Sequence, residues 1–229
     1  MSRAQAPHEE RGVRVGAPDV TLEGNLTVPQ GAKGIVLFAH GSGSSRRSPR
    51  NRFVARQLSD RGLATLLIDL LTSEEEAVDL RTARLRFDVG MLADRLSGAT
   101  AWIRRQPETS RLRVGYFGAS TGAAAALVAA AESGAEIGAV VSRGGRPDLA
   151  GDALERVQAP TLLLVGGEDV PVIAMNREAL ARLNCEKQLE IVPGATHLFE
   201  EPGTLEAVAR RAGDWFLRYL GHPAPRTEG

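Results

Sequence analysis

The chain holds a single cysteine, Cys185, among its 229 residues. A lone thiol closes no internal disulfide, and nothing in the sequence suggests a metal cluster. Neither sign of charge is in excess, since Lys+Arg and Asp+Glu stand at 28 each. There is thus no global field to draw the chain to nucleic acid or to an anionic membrane, and partners must be recognised by a site. No apolar run approaches the ~18 residues of a membrane span, and no signal-like stretch follows Met1, which sets the expectation of a cytoplasmic soluble protein. Nucleotide fingerprints are missing as well: neither G-x-x-x-x-G-K-[ST] nor G-x-G-x-x-G occurs. That argues against a nucleotide- or phosphate-binding module, although glycine loops do precede helix starts. Internal repeats and interdomain linkers are also lacking.

What is present is an ordinary globular composition, 43% hydrophobic and 24% charged, in a chain long enough for one sizeable core. Residues 1–12 are expected to form a flexible N-terminus, 13–221 a single α/β domain and 222–229 a flexible tail. Alternation of apolar and polar residues over 13–28 predicts an antiparallel hairpin at a sheet edge. The continuous apolar run at 34–39 predicts a strand buried on both faces, a second buried strand is expected at 64–68, and further strands are expected ahead of Ser120 and at 137–141, 161–165 and 189–192. Helical spacing predicts helices over 49–61, 82–105, 173–183 and 204–220, besides an Ala-rich helix after Ser120. The acidic stretch 72–80, with Glu74, Glu75 and Glu76, reads as a solvated loop. Strands alternating with amphipathic helices give a mostly parallel sheet with an antiparallel N-terminal edge and helices on both faces. The strand at 161 follows its predecessor too closely for a cap domain. Ligands of such sheets bind at the carboxyl ends of the strands, where His40, Asp69, Ser120, Arg143, Asp169 and His197 fall.

The most informative stretch is Gly118-Ala119-Ser120-Thr121-Gly122, a G-x-S-x-G pattern between an apolar strand and a helix. A strand-to-helix turn this sharp holds its serine in a strained conformation with Oγ exposed, and small residues two positions to either side let the chain pass. The Thr121 N–H lies at the first turn of the helix, where donors are free and negative charge is favoured. A serine nucleophile needs a base, and the base an orienting acid.

Of four histidines, His8 and His222 lie in the expected tails. His197, in Pro-Gly-Ala-Thr-His after the last strand, is the candidate base, while His40 is expected to brace the glycine loop after the first long buried strand. Asp169, in Gly-Gly-Glu-Asp, is the candidate acid. Glu168 should point away from it, and Asp69 precedes the serine rather than following it. The second oxyanion donor beside Thr121 N–H is sought in His40-Gly41-Ser42-Gly43, with the Ser42 amide as first choice and Gly41 as alternative. Arg46, Arg47, Arg50, Arg52 and Arg146 read as solvated loop arginines. Arg143 stands apart, because its loop should border the pocket and its guanidinium could pair with a substrate carboxylate.

Taken in this order, HGSGSS, GASTG, GGED and PGATH over roughly residues 20–220 resemble the α/β-hydrolase superfamily, specifically its small, cap-free dienelactone-hydrolase-like branch. The resemblance implies that fold with Ser120, Asp169 and His197 as catalytic triad. Dienelactone hydrolases proper carry cysteine at the elbow where this chain has Ser120, which shifts the expectation towards a carboxylesterase. The expected activity is hydrolysis of small-molecule esters, or related thioesters and lactones, through an acyl-enzyme, with no cofactor or metal. The alternatives are a lactone hydrolase for carboxylate-bearing substrates and a non-catalytic binding protein on the same fold. Cys185, away from any strand end, is expected to pack.

Overall fold

The computed structural model describes residues 9–221; the expected loose ends before and after these lie outside the described residues. Its centre is an eight-stranded sheet in the order β1-β2-β4-β3-β5-β6-β7-β8. β1 (Glu10–Ala17) and β2 (Val20–Thr27) form an antiparallel hairpin, and β2 runs antiparallel to β4 (Ala64–Ile68). β3 (Ile35–Ala39), β5 (Val114–Ala119), β6 (Ile137–Arg143), β7 (Thr161–Gly166) and β8 (Lys187–Val192) continue the sheet from β4 in parallel. The expected mostly parallel sheet with an antiparallel edge is thus observed, although β1 begins at Glu10, inside the segment expected to be loose.

Side-chain alternation divides the core into two layers. Ile35 and Leu37 of β3 join Leu66, Tyr116, Val140 and Leu163 on one face, whereas Val36 and Phe38 join Leu67, Phe117, Val141 and Leu164 on the other. The first layer is covered by α3 (Val89–Arg105), α4 (Thr121–Ser133) and α5 (Val170–Arg182), and the second by α1 (Pro49–Asp60) and α6 (Thr204–Leu220). Burial on both faces explains why these strands are continuous apolar runs. Phe38 and Phe117, cross-strand partners, stack with ring centroids 4.9 Å apart. The Tyr116 hydroxyl, deep in the first layer, meets Thr100 Oγ1 at 2.7 Å, so its polar end is satisfied.

One expectation fails outright. The acidic stretch is no loop but helix α2 (Ser73–Thr82), started by a capping box in which Thr72 Oγ1 takes the Glu75 N–H while the Glu75 carboxylate takes the Thr72 N–H. Glu74, Glu75 and Glu76 fill its first turn, where carboxylates favour the positive end of the helix dipole. Conversely, the helix expected from 82 begins only at Val89, after a 3₁₀ turn at Leu85–Phe87. Asp79, buried at the end of α2, takes the amides of Leu85 and Arg86 and the Arg86 guanidinium, and so fixes the break between the two helices. These donors hold its carboxyl below the usual range, against the opposing effect of burial. Among the described residues, no helix is long and apolar enough to cross a membrane.

Candidate active site

β5 breaks into α4 at Ser120, whose backbone stands at φ 51°, ψ −122°. For a residue with a Cβ this is a strained conformation, kept only where the surroundings impose it. They do: Ser120 N–H donates to Arg143 O at 3.3 Å, and Ser120 O accepts from Arg146 N–H at 3.1 Å. The flanking glycines are needed for space. A Cβ on Gly118 would stand 2.4 Å from Ala123 Cα, and one on Gly122 would stand 2.3 Å from Ala39 O. Such contacts fix the turn against the end of β3, and the loop after β3 in turn lies close to the nucleophile candidate, with the Gly41 Cβ position 2.9 Å from Ser120 Cβ.

Asp169 ends the loop after β7 and precedes α5. Its carboxylate caps nothing in that helix and instead meets His197 Nδ1 at 2.6 Å. Nδ1 thus carries the proton it donates to the aspartate, and Nε2 is the open nitrogen. His197 is held on the loop after β8 by bonds to its neighbours: Ala195 O accepts from Glu168 N–H at 3.0 Å, and Thr196 N–H donates to Glu201 Oε2 at 3.0 Å. Phe199, fully buried, pins the far side. Gly144, just beyond β6, gives this loop room, since a Cβ there would stand 3.2 Å from His197 O. Ser120 Oγ makes no hydrogen bond to His197 among the described residues; in unliganded sites such bonds are commonly loose and tighten with substrate. Glu168 is exposed.

His40 braces the loop after β3. Its Nε2 accepts the Leu70 N–H at 3.0 Å, so Nδ1 carries the proton and donates to Gly41 O at 3.0 Å. Burial lowers its pKa, opposed by the Gly41 bond and by Asp69 and Glu76, and the ring is neutral. Asp69 has a second task. It takes Arg46 N–H at 2.6 Å and pairs with the Arg46 guanidinium, which also reaches Glu23 and, through Nε, Asn25 Oδ1 at 3.0 Å. Arg46 is therefore a clasp from the loop to β2 and β4, not the solvated side chain expected. Arg50 pairs with Glu200 at 2.9 Å, Arg52 with Glu10 at 3.1 Å, and Arg146 with Asp148 at 2.7 Å.

Two placements depart from expectation in ways that matter. The Ser42 N–H, expected to face the oxyanion, donates to Thr121 Oγ1 at 3.0 Å. Arg143 is buried, 7% exposed, with Nε and Nη1 lacking partners among the described residues. It lies over the Phe199 ring, 6.0 Å from the centroid, and burial together with Arg50 pushes its pKa down to about 10. Sequence reasoning missed α2, which forms one wall of a cavity next to the elbow. A cavity runs beside the elbow between Gly41, Ser42 and Thr121 on one side and Leu70, Leu71, Glu76 and Leu80 on the other. The capping box at Thr72 and Glu75 was the signal for that wall. Cys185 is half-buried, with Sγ 3.7 Å from Thr161 Oγ1 at the start of β7, the opposite end of that strand from Asp169, and burial pushes its thiol up. No group of His, Cys, Asp and Glu among the described residues is placed to hold a metal ion.

With this geometry in view, comparison with known proteins is decisive at the family level: the dienelactone hydrolase family profile matches residues 22–221. The chain belongs to the dienelactone hydrolase family. It is similar to a dienelactone hydrolase from Anabaena variabilis, with 64% identity and a TM-score of 0.92 over 94% of this chain and 100% of that one. Est1E from Butyrivibrio proteoclasticus, 14% identical over 92% of this chain and 99% of that one at a TM-score of 0.77, shares the fold. So does a dienelactone hydrolase-like promiscuous phosphotriesterase, P91, from metagenomic libraries, 21% identical over 94% of this chain and 100% of that one at 0.76. Two proteins from Mycobacterium tuberculosis strains CDC 1551 and H37Rv, each named "Putative phosphoribosyl transferase", are 57% identical over 222 residues. The match takes in 97% of this chain and 49% of each relative, so the chain spans about half the length of these curated relatives. Family and neighbours together support a hydrolase.

Proposed function

We propose that the chain is a serine hydrolase that cleaves carboxylic esters, or related thioesters and lactones, of small substrates through an acyl-enzyme. The observation that carries this reading is the strained Ser120, at φ 51° and ψ −122°, on the strand next but one to that of Asp169, whose carboxylate holds His197 at 2.6 Å. Ser120 Oγ attacks the carbonyl carbon while His197 Nε2 takes its proton; the C=O π electrons move onto oxygen. Asp169 keeps Nδ1 protonated and stabilises the imidazolium. The tetrahedral oxyanion is bound by the Thr121 N–H, free at the first turn of α4 where the helix dipole adds to it. Collapse restores the carbonyl and breaks the bond to the leaving group, which departs with the proton from His197. Water, deprotonated by Nε2, attacks the acyl carbon in the same manner and releases the acid and Ser120.

Turnover of p-nitrophenyl acetate that disappears in Ser120→Ala, with the fold intact by circular dichroism, tests this; retained turnover refutes it. The relatives named as putative phosphoribosyl transferases are matched over only 49% of their length, whereas the hydrolase family covers residues 22–221 of this chain, and the hydrolase reading rests on the latter.

A second reading concerns the substrate. Arg143, buried over the Phe199 ring with Nε and Nη1 unpartnered among the described residues, favours esters or lactones that carry a carboxylate, since an anion would satisfy a cation otherwise costly to bury. A panel of neutral and anionic esters compared in wild type and Arg143→Ala decides it: a preference for anionic esters lost in the variant supports the reading, and equal turnover of both classes in wild type contradicts it.

A further inference from the structure

The groups shared by Ser42 and Thr121 leave one proton unclaimed. The Ser42 N–H donates to Thr121 Oγ1 at 3.0 Å, and Ser42 Oγ lies 3.0 Å from the same oxygen. Each hydroxyl has one proton to give and lone pairs to receive. The hydroxyl–hydroxyl bond consumes one proton whichever way it runs, and the amide proton is already engaged. One O–H therefore remains without an acceptor among the described residues. The pair borders the cavity beside the elbow: Thr121 follows Ser120 directly, and Gly41, next to Ser42, lies against Ser120. An oxyanion pocket built from the Ser42 amide would have to break its bond to Thr121 Oγ1 on every turnover.

We propose that the Thr121 hydroxyl is itself an oxyanion donor, so that Thr121 supplies both its N–H and its O–H, while Ser42 N–H and Ser42 Oγ–H donate to Thr121 Oγ1 and hold it in place. This rests on the serine-hydrolase reading above. Thr121 carries the free proton rather than Ser42 because it is the rigid member. It is 3% exposed, on the first turn of α4, with a β-branched side chain, whereas Ser42 is exposed on a loop. Two donors directed at Thr121 Oγ1 polarise its O–H and strengthen the bond that proton makes to an anion. A donor fixed in this way needs no reorganisation as charge develops. No proton is transferred: the hydroxyl binds O⁻ of the tetrahedral intermediate and keeps its hydrogen when the carbonyl re-forms. Ser42 is then a positioning residue.

The test compares wild type, Thr121→Val, Thr121→Ser and Ser42→Ala for kcat and KM on p-nitrophenyl acetate, with thermal melts and fluorophosphonate labelling of each. Valine keeps the shape of threonine, removes the O–H and releases the Ser42 amide. A fall in kcat of about 10²-fold with KM little changed, recovered to within about tenfold in Thr121→Ser and smaller in Ser42→Ala, is the expected result. A valine variant as active as wild type, or more active, would overturn the proposal, because that follows if the freed Ser42 amide is the donor. Ser42→Ala falling as far as Thr121→Val would also overturn it, by placing the free proton on Ser42. Should the valine variant fail to fold, Thr121→Ala gives the same comparison. Wild type that is neither labelled at Ser120 nor active on esters would refute the hydrolase reading itself, and this assignment with it.

Discussion

His197 Nδ1 lies 2.6 Å from Asp169 Oδ2, across two loops that follow different strands. The aspartate fixes the tautomer in which Nδ1 carries the proton and Nε2 is the acceptor nitrogen. Asp169→Asn preserves the shape but offers an amide where Nδ1–H needs an acceptor. We expect kcat on p-nitrophenyl acetate to fall by about 10³–10⁴-fold with KM nearly constant and thermal stability little altered. Steady-state kinetics on the purified variant check this.

Gly122 has no room for a side chain. A Cβ would stand 2.3 Å from Ala39 O and 2.5 Å from His40 O, both backbone atoms that cannot rotate away. Gly122→Ala should therefore destabilise the fold by about 3 kcal/mol, the upper part of the range for overpacking. It should also weaken activity, since the displaced backbone carries Ser120 and the loop after β3. Urea denaturation gives the stability change directly.

His40 is held neutral, with a pKa below its ordinary 6.5, because burial disfavours its charged form and Nε2 accepts the Leu70 N–H. A depressed folded pKa means that the unfolded chain takes up the proton first as pH falls. The stability His40 contributes is present above about 6.5 and is lost as pH drops towards and through its folded value. Denaturation midpoints measured from about pH 8 down to about pH 5 should decline in wild type, whereas His40→Leu should be weaker at pH 8 and less dependent on pH across that window. An equal slope in both proteins would show that the dependence arises elsewhere.

Arg46 ties the loop after β3 to the hairpin edge through Asp69, Glu23 and Asn25. Its side chain and that of Asp69 are 14% and 19% exposed, so solvent screens the pair only in part. Arg46→Ala should cost about 1–2 kcal/mol, between the values for surface and buried pairs. It should also lower kcat, because the Gly41–Ser42 segment loses its anchor. Hydrogen exchange at the Gly41, Ser42 and Gly43 amides reports the loosening.

The architecture was legible in the sequence because burial on both faces of the central strands leaves a fully buried and mainly apolar run, as at Ile35–Ala39 and Ala64–Ile68. The strand-end positions of Ser120, Asp169 and His197 followed from that register, and the bracing role of His40 from its place before a glycine loop. α2 escaped notice because it has no apolar stripe to reveal it: Val78 and Leu80 are exposed, and Asp79 is the buried residue. Local capping and the helix dipole fix it instead. Arg46 and the hydroxyl of Thr121 were illegible for another reason. Their partners, Asp69 and Ser42, are distant in the chain, and only the folded sheet brings them together.

The central claim is that Ser120 is a nucleophile activated by His197. Incubation with a fluorophosphonate probe, followed by digestion and mass spectrometry, tests it most directly. The account predicts one probe adduct on the peptide that carries Ser120, absent in Ser120→Ala and strongly slowed in His197→Ala. An unlabelled Ser120 in folded protein, or an adduct that forms equally fast without His197, would contradict it.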